Sequence, residues 1–173
     1  MIITDETLLR TPCSDVLPSE VDDLRFLLEK ELRLSGEQGQ SGIGLAAPQI
    51  GIYKKMAIVR IPFQNKTISV DLVNCHISSY YDKFLFEEEG CLSFPGQIVK
   101  SFRYREIVVT NNLVRPHNFI ATGILAVCIQ HELNHLEGIL LPDVAIKPAK
   151  PAKPLPINHM IEQALDLKIK GFQ

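Results

Sequence analysis

The segment that most constrains the fold is 121–138, Ala-Thr-Gly-Ile-Leu-Ala-Val-Cys-Ile-Gln-His-Glu-Leu-Asn-His-Leu-Glu-Gly. Ile124, Val127, Cys128 and Leu133 recur along it and Gly138 supplies a stop, so it predicts a helix over about 121–138. Inside that helix, His131-Glu132-Leu133-Asn134-His135 places two imidazoles at i and i+4, on one face and one turn apart. Both can reach a single metal ion, and Glu132 points to the same place. The chain must therefore bury this helix and still leave a polar opening at its end.

Other segments supply the packing partners. Ser19-Glu20-Val21-Asp22, followed by Leu24, Leu28 and Leu32 at helical spacing, predicts an amphipathic N-terminal helix over about 19–35 with a hydroxyl N-cap. Residues 36–44 carry four glycines and read as a loop whose backbone can approach something closely. Short β-rich stretches at about 56–61, 67–73 and 106–110 are separated by turn residues, which suggests a mostly antiparallel sheet. A proline-rich spacer over about 147–156 cannot be helical, and a last helix is expected at about 157–169, with Ile157, Met160, Ile161, Ala164 and Leu165 on one face. This order predicts an α+β fold in one domain, 1–173, with a central metal-binding helix packed against antiparallel sheets and with N- and C-terminal helices.

Composition narrows the classes of activity. A chain of 173 residues with 46% hydrophobic and 22% charged residues has room for one core and no second catalytic domain. Its formal net charge of −2 provides no broad positive field, so direct nucleic-acid binding is not expected. Cys13, Cys75, Cys91 and Cys128 are scattered without a Cys-x-x-Cys pair, and a chain of this size does not need disulfides. No apolar run approaches the ~18 residues needed to span a bilayer. The expectation is a soluble protein in a reducing compartment.

Two histidines do not complete a catalytic metal site, which typically has three protein ligands and one open position. The extended metalloprotease motif would need a third His at position 141, which is Leu. Glu162 could serve as a downstream third ligand of a zinc metallopeptidase, and that reading stays open on spacing. The other candidate is Cys91, within Glu87-Glu88-Glu89-Gly90-Cys91-Leu92-Ser93, since a thiolate is a strong ligand for zinc or ferrous iron.

Three segments bear on the choice: Gly42-Ile43-Gly44-Leu45-Ala46-Ala47-Pro48-Gln49, Glu89-Gly90-Cys91-Leu92-Ser93, and Gln130-His131-Glu132-Leu133-Asn134-His135-Leu136. In this order they resemble the three signature motifs of the peptide deformylases. The sequence departs from the family pattern at Asn134, where Asp is common, and at Phe102, where Pro is frequent, while Arg103 is retained. Asn134 can still make one hydrogen bond but carries no charge. The lysine–proline stretch is not accounted for by these motifs.

The resemblance implies that Cys91, His131 and His135 hold the metal and that water takes the fourth place. Glu132 is then the general base and later the acid to the leaving amine, with the Gln49 side chain and the Leu92 N–H as donors to the carbonyl oxygen. It implies N-formylmethionyl peptides of newly made proteins as substrates, with the ribosome as one place to meet them and with formate released. The implied metal is Fe2+, with Zn2+, Ni2+ or Co2+ as substitutes. Candidates for the peptide and its methionine side chain are Ile43, Gly44, Leu45, Glu89, Gly90, Ile124, Val127 and Cys128. The implied compartment is the cytoplasm, that of a host for a phage gene, or an organellar matrix.

Overall fold

A computed structural model of the chain describes residues 1–113, 115–146 and 150–151. Asp5 opens the first element: its carboxylate accepts from the Thr7 and Leu8 N–H groups and caps one helical turn, α1 (Glu6–Leu9). The amphipathic helix follows as α2 (Val21–Glu37), burying Val21, Leu24 and Leu28. Ser19 is not its cap. Pro18 starts a 3-10 turn over Pro18–Glu20, and Glu20 reaches back to the Leu17 N–H at 2.7 Å, so the carboxylate caps the turn that precedes α2.

The first sheet contains β1 (Gly44–Ala46), β2 (Met56–Phe63) and β3 (Lys66–Val73), antiparallel in that order. Strand β2 is apolar on both faces because it is covered on both. Met56 and Ile58 pack with the α2 residues, while Ala57, Val59 and Ile61 join the opposite cluster.

The second sheet is the larger departure from expectation. It holds β4 (His76–Gly90), β5 (Gln97–Asn111) and β6 (His117–Thr122), again antiparallel. Only 106–110 was expected here, whereas β4 and β5 form a ribbon of 15 residues each. Much of β4 faces solvent, and its Ser78, Ser79, Asp82, Lys83 and Glu87 to Glu89 leave only the short apolar run Phe84-Leu85-Phe86 to announce it. Inward residues still alternate on β5, where Val99, Ser101 and Arg103 are buried in turn. Ala121 and Thr122 complete β6, so the central helix, α3 (Gly123–Leu136), begins two residues later than periodicity suggests.

Residues 123–130 of α3 are all buried, packed between the two sheets, and Leu125 and Ile129 are enclosed almost completely. Each such side chain contributes roughly 1.5–3 kcal/mol relative to exposure. The helix ends where the sequence indicates. Gly138 takes φ +71°, its N–H meets the His135 carbonyl (3.2 Å), and the Ile139 N–H meets the Asn134 carbonyl (2.8 Å). The short α4 (Leu141–Val144) follows, and β7 (Lys150–Pro151) pairs with Ile98 and Gln97 at the start of β5. The rest of the 147–156 spacer, the helix expected at 157–169 and Glu162 lie outside the described residues. Among the described residues no helix is long and apolar enough to cross a membrane.

Candidate metal centre

The polar end of α3 faces the turn that follows β4. There Cys91 meets the two helix histidines, and one ligand atom from each of Cys91, His131 and His135 lies within 4.8 Å of the others. Cys91 Sγ is 3.2 Å from His135 Nε2, and the two imidazoles stand edge to face with centroids 5.0 Å apart. One sulfur and two nitrogens converging at this spacing suit a tetrahedral site with one open position.

The two imidazoles sit in different electrostatic settings. Burial holds the His135 imidazole well below its ordinary value, which keeps a lone pair available. Burial would lower His131 too, but the neighbouring Cys91 and Glu89 outweigh it and raise that imidazole well above the usual histidine range. A pair of acidic groups that favours a proton on His131 favours a divalent metal in the same place.

Glu89, at the end of β4, fixes the orientation of His131. Its Oε1 is 2.7 Å from His131 Nδ1 and accepts from Arg103 Nη2 at 2.5 Å, while Oε2 accepts from Arg103 Nε at 2.8 Å and from the Ser101 hydroxyl. Burial alone would raise this carboxyl, but the Arg103 and His131 hydrogen bonds hold it well below the ordinary carboxylate range. Asn134, with its amide oxygen toward Arg103, accepts from Nη1 at 2.9 Å and Nη2 at 3.2 Å. The hydrogen bond expected of this residue is therefore made to the arginine that holds Glu89.

Glu132 lies on the cavity side of α3 in a different setting. It is buried, and its Oε2 has no hydrogen-bond partner among the described residues. Burial pushes its carboxyl up to about 7, against the pull of His131 and with help from the Glu89 charge. Gln49 approaches from the turn after β1. Its Oε1 accepts from the Ala46 N–H (2.9 Å), and its Nε2 donates to the Ser93 hydroxyl (3.1 Å) and leans on Cys91 Sγ (3.6 Å). The Leu92 N–H makes no hydrogen bond among the described residues.

A cavity of about 320 Å³ opens onto these groups. Of the residues expected to meet a peptide, Ile43, Gly44, Gly90, Ile124, Val127 and Cys128 line it. Glu89 also borders it, with both of its oxygens engaged by Arg103, Ser101 and His131. Leu45 departs from the expectation. Successive strand residues face opposite sides, and Leu45 is buried in the α2 cluster, away from the cavity. Phe86 and Ile98, which the sequence reading missed, complete the apolar wall from the β4–β5 ribbon. Arg103, Ser101 and Ser93 were missed as supports, because the burial of the first two follows from cross-strand pairing of β5 and not from an apolar pattern.

His76 and His117 are exposed, as expected of histidines without a partner motif, and His159 lies outside the described residues. Cys75 is partly buried against the core, and burial pushes its thiol up to about 12, in keeping with a packing residue.

Known proteins share both sequence and fold with this chain. The family model described as polypeptide deformylase matches residues 1–151. "Peptide deformylase 2" of Prochlorococcus marinus (strain MIT 9313) is 43% identical over 135 residues, which is 76% of this chain and 61% of that protein. The first curated relatives are longer proteins, of which the matches span 61–63%. Among solved structures, a probable peptide deformylase from Synechococcus phage S-SSM7 superposes with TM-score 0.73 at 34% identity, covering 83% of this chain and 98% of that one. The Met-Ala-Ser-bound class I type b peptide deformylase of Acinetobacter baumannii superposes with TM-score 0.69 at 26% identity, covering 83% of this chain and 96% of that one. A match over most of its length, joined to a helix and turn that converge on a sulfur and two imidazoles, means that the chain belongs to the polypeptide deformylase family.

Proposed function

We propose that the chain removes the formyl group from N-formylmethionyl peptides of newly made proteins and releases formate. The observation that carries this reading is the convergence of Cys91, His131 and His135 beside Glu132, a buried carboxylate with an unpartnered oxygen, at an apolar cavity. Cys91, His131 and His135 would hold the metal. We assign Fe2+ as its identity in the cell, with Zn2+, Ni2+ or Co2+ accepted by the same donors. A divalent metal there would supply Lewis acidity and make a water's proton available near neutrality.

The chain's own residues then do the following. Glu132, with its carboxyl near 7, takes a proton from the attacking water and returns it to the leaving nitrogen. Amide hydrolysis requires the second transfer because an unprotonated amine leaves poorly. As the carbonyl carbon becomes tetrahedral its oxygen gains charge. The Leu92 N–H is free to donate to it, and the Gln49 N–H that leans on Cys91 at 3.6 Å is held loosely enough to be drawn away. Gln49 is kept in place meanwhile by Ala46 and Ser93.

Ile124, Val127, Cys128, Phe86 and Ile98 give the cavity an apolar wall suited to a methionine side chain. Formyl is the smallest acyl group, so a site this close to α3 would exclude acetyl and longer chains. Substrates of this kind arise on the ribosome, and we place the enzyme where nascent chains emerge in the cytoplasm or an organellar matrix. The test is incubation of anaerobically prepared, iron-loaded protein with formyl-Met-Ala-Ser. One formate per free amine is expected, and no formate from protein with iron bound would overturn the reading.

A further inference from the structure

Gly44 lies in β1, paired with Val59 of β2. Its backbone is not among those with positive φ, so no left-handed conformation requires glycine there. A glycine inside a strand is otherwise unfavourable, because it adds freedom to the unfolded chain and packs nothing. The residue is explained instead by what lies against it. A Cβ built on Gly44 would fall 2.2 Å from Glu132 Oε1, 2.8 Å from its Cδ and 3.1 Å from its Cγ.

The other glycines of the cavity are crowded less severely. At Gly42 a Cβ would meet Leu92 Cδ1 at 2.8 Å, the far end of a flexible side chain, and at Gly90 it would meet Ile98 Cδ1 at 3.1 Å. At Glu132 the crowding reaches inward from Oε1 to Cδ and Cγ, so the whole carboxylate of a residue that is 4% exposed would have to shift. No hydrogen bond to its unpartnered Oε2 orients it. Its position is left to shape.

We propose that Gly44 is the positioning residue for Glu132: the bare backbone of β1 is the wall on which the carboxylate rests. From sequence Gly44 is expected to meet the peptide and its methionine side chain, whereas this contact gives it to the acid–base group. The strand is well anchored for the purpose, since Leu45 is packed under α2 and the Ala46 N–H holds Gln49 at 2.9 Å. One short strand thus sets both Glu132 and Gln49. The catalytic consequence rests on the reading of Glu132 as proton carrier, but the steric relation does not.

The test is a melting cycle on metal-loaded protein with Gly44→Ala, Glu132→Ala and the double variant. Gly44→Ala is expected to lower Tm by at least about 3 °C, as overpacking does, and to cost nothing further in the Glu132→Ala background. Equal loss in both backgrounds, or loss in neither, would overturn the proposal. Should Gly44→Ala fail to fold, a folded double variant supports the proposal and an unfolded one overturns it. In formate release, Gly44→Ala is expected to reduce kcat about 100-fold with metal stoichiometry intact and KM within about threefold. A rise in KM at unchanged kcat would make Gly44 a pocket wall and overturn the positioning role. Melting does not depend on turnover, so an inactive wild type would count against the proposed function alone.

Discussion

The two walls of the cavity treat their buried carboxylates in opposite ways. On the β4–β5 wall, Glu89 accepts from Arg103, Ser101 and His131, and its charge is fully compensated. On the β1 wall, Glu132 of α3 has an oxygen without a partner among the described residues and lies against Gly44. Burial raises a carboxyl in both places, but only at Glu89 do hydrogen bonds to the charged form outweigh it. A saturated carboxylate is a fixed anion, useful for holding an imidazole in one orientation and tautomer. An unsaturated one exchanges its proton near neutrality, as acid–base chemistry requires. Number and charge of partners, rather than depth, separate the support from the reacting group.

The same Glu→Gln change should therefore act differently on the two walls. Glu89→Gln leaves the Arg103 guanidinium buried without a counter-charge and should cost about 3–5 kcal/mol of stability, measured by denaturant unfolding. Glu132→Gln removes no hydrogen bond to its unpartnered oxygen and should change stability by less than about 1 kcal/mol. Equal costs would break the comparison. A smaller change sharpens it: Asn134→Ala deletes a neutral acceptor of Arg103 while leaving Glu89 in place, and should cost about 1 kcal/mol in the same unfolding experiment. A loss as large as that of Glu89→Gln would mean that Asn134, not Glu89, carries the arginine.

What was legible in the sequence is what local geometry determines. The pairing of His131 with His135 follows from the i, i+4 repeat of a helix, and the helix stop at Gly138 follows from its left-handed backbone. Cys91 lies 44 residues from His135, so its place beside that residue was reached through motif resemblance and could not be computed from spacing. The long β4–β5 ribbon was largely hidden because its stability comes from cross-strand pairing of half-exposed residues. For the same reason Arg103 and Ser101, which face Glu89 across that ribbon, carried no local signal. Leu45 and Gly44 are neighbours in sequence with opposite surroundings, and which of them faced the cavity depended on the pleat.

The central claim is that the unpartnered carboxylate moves the proton in deformylation. It is tested most directly by measuring formate release from formyl-Met-Ala-Ser by wild type and Glu132→Gln side by side, with iron assayed on the same samples. The account expects a wild type that turns over and a variant that retains its iron while losing about 10²–10⁴ in kcat. A Glu132→Gln variant with full iron and wild-type turnover would contradict it.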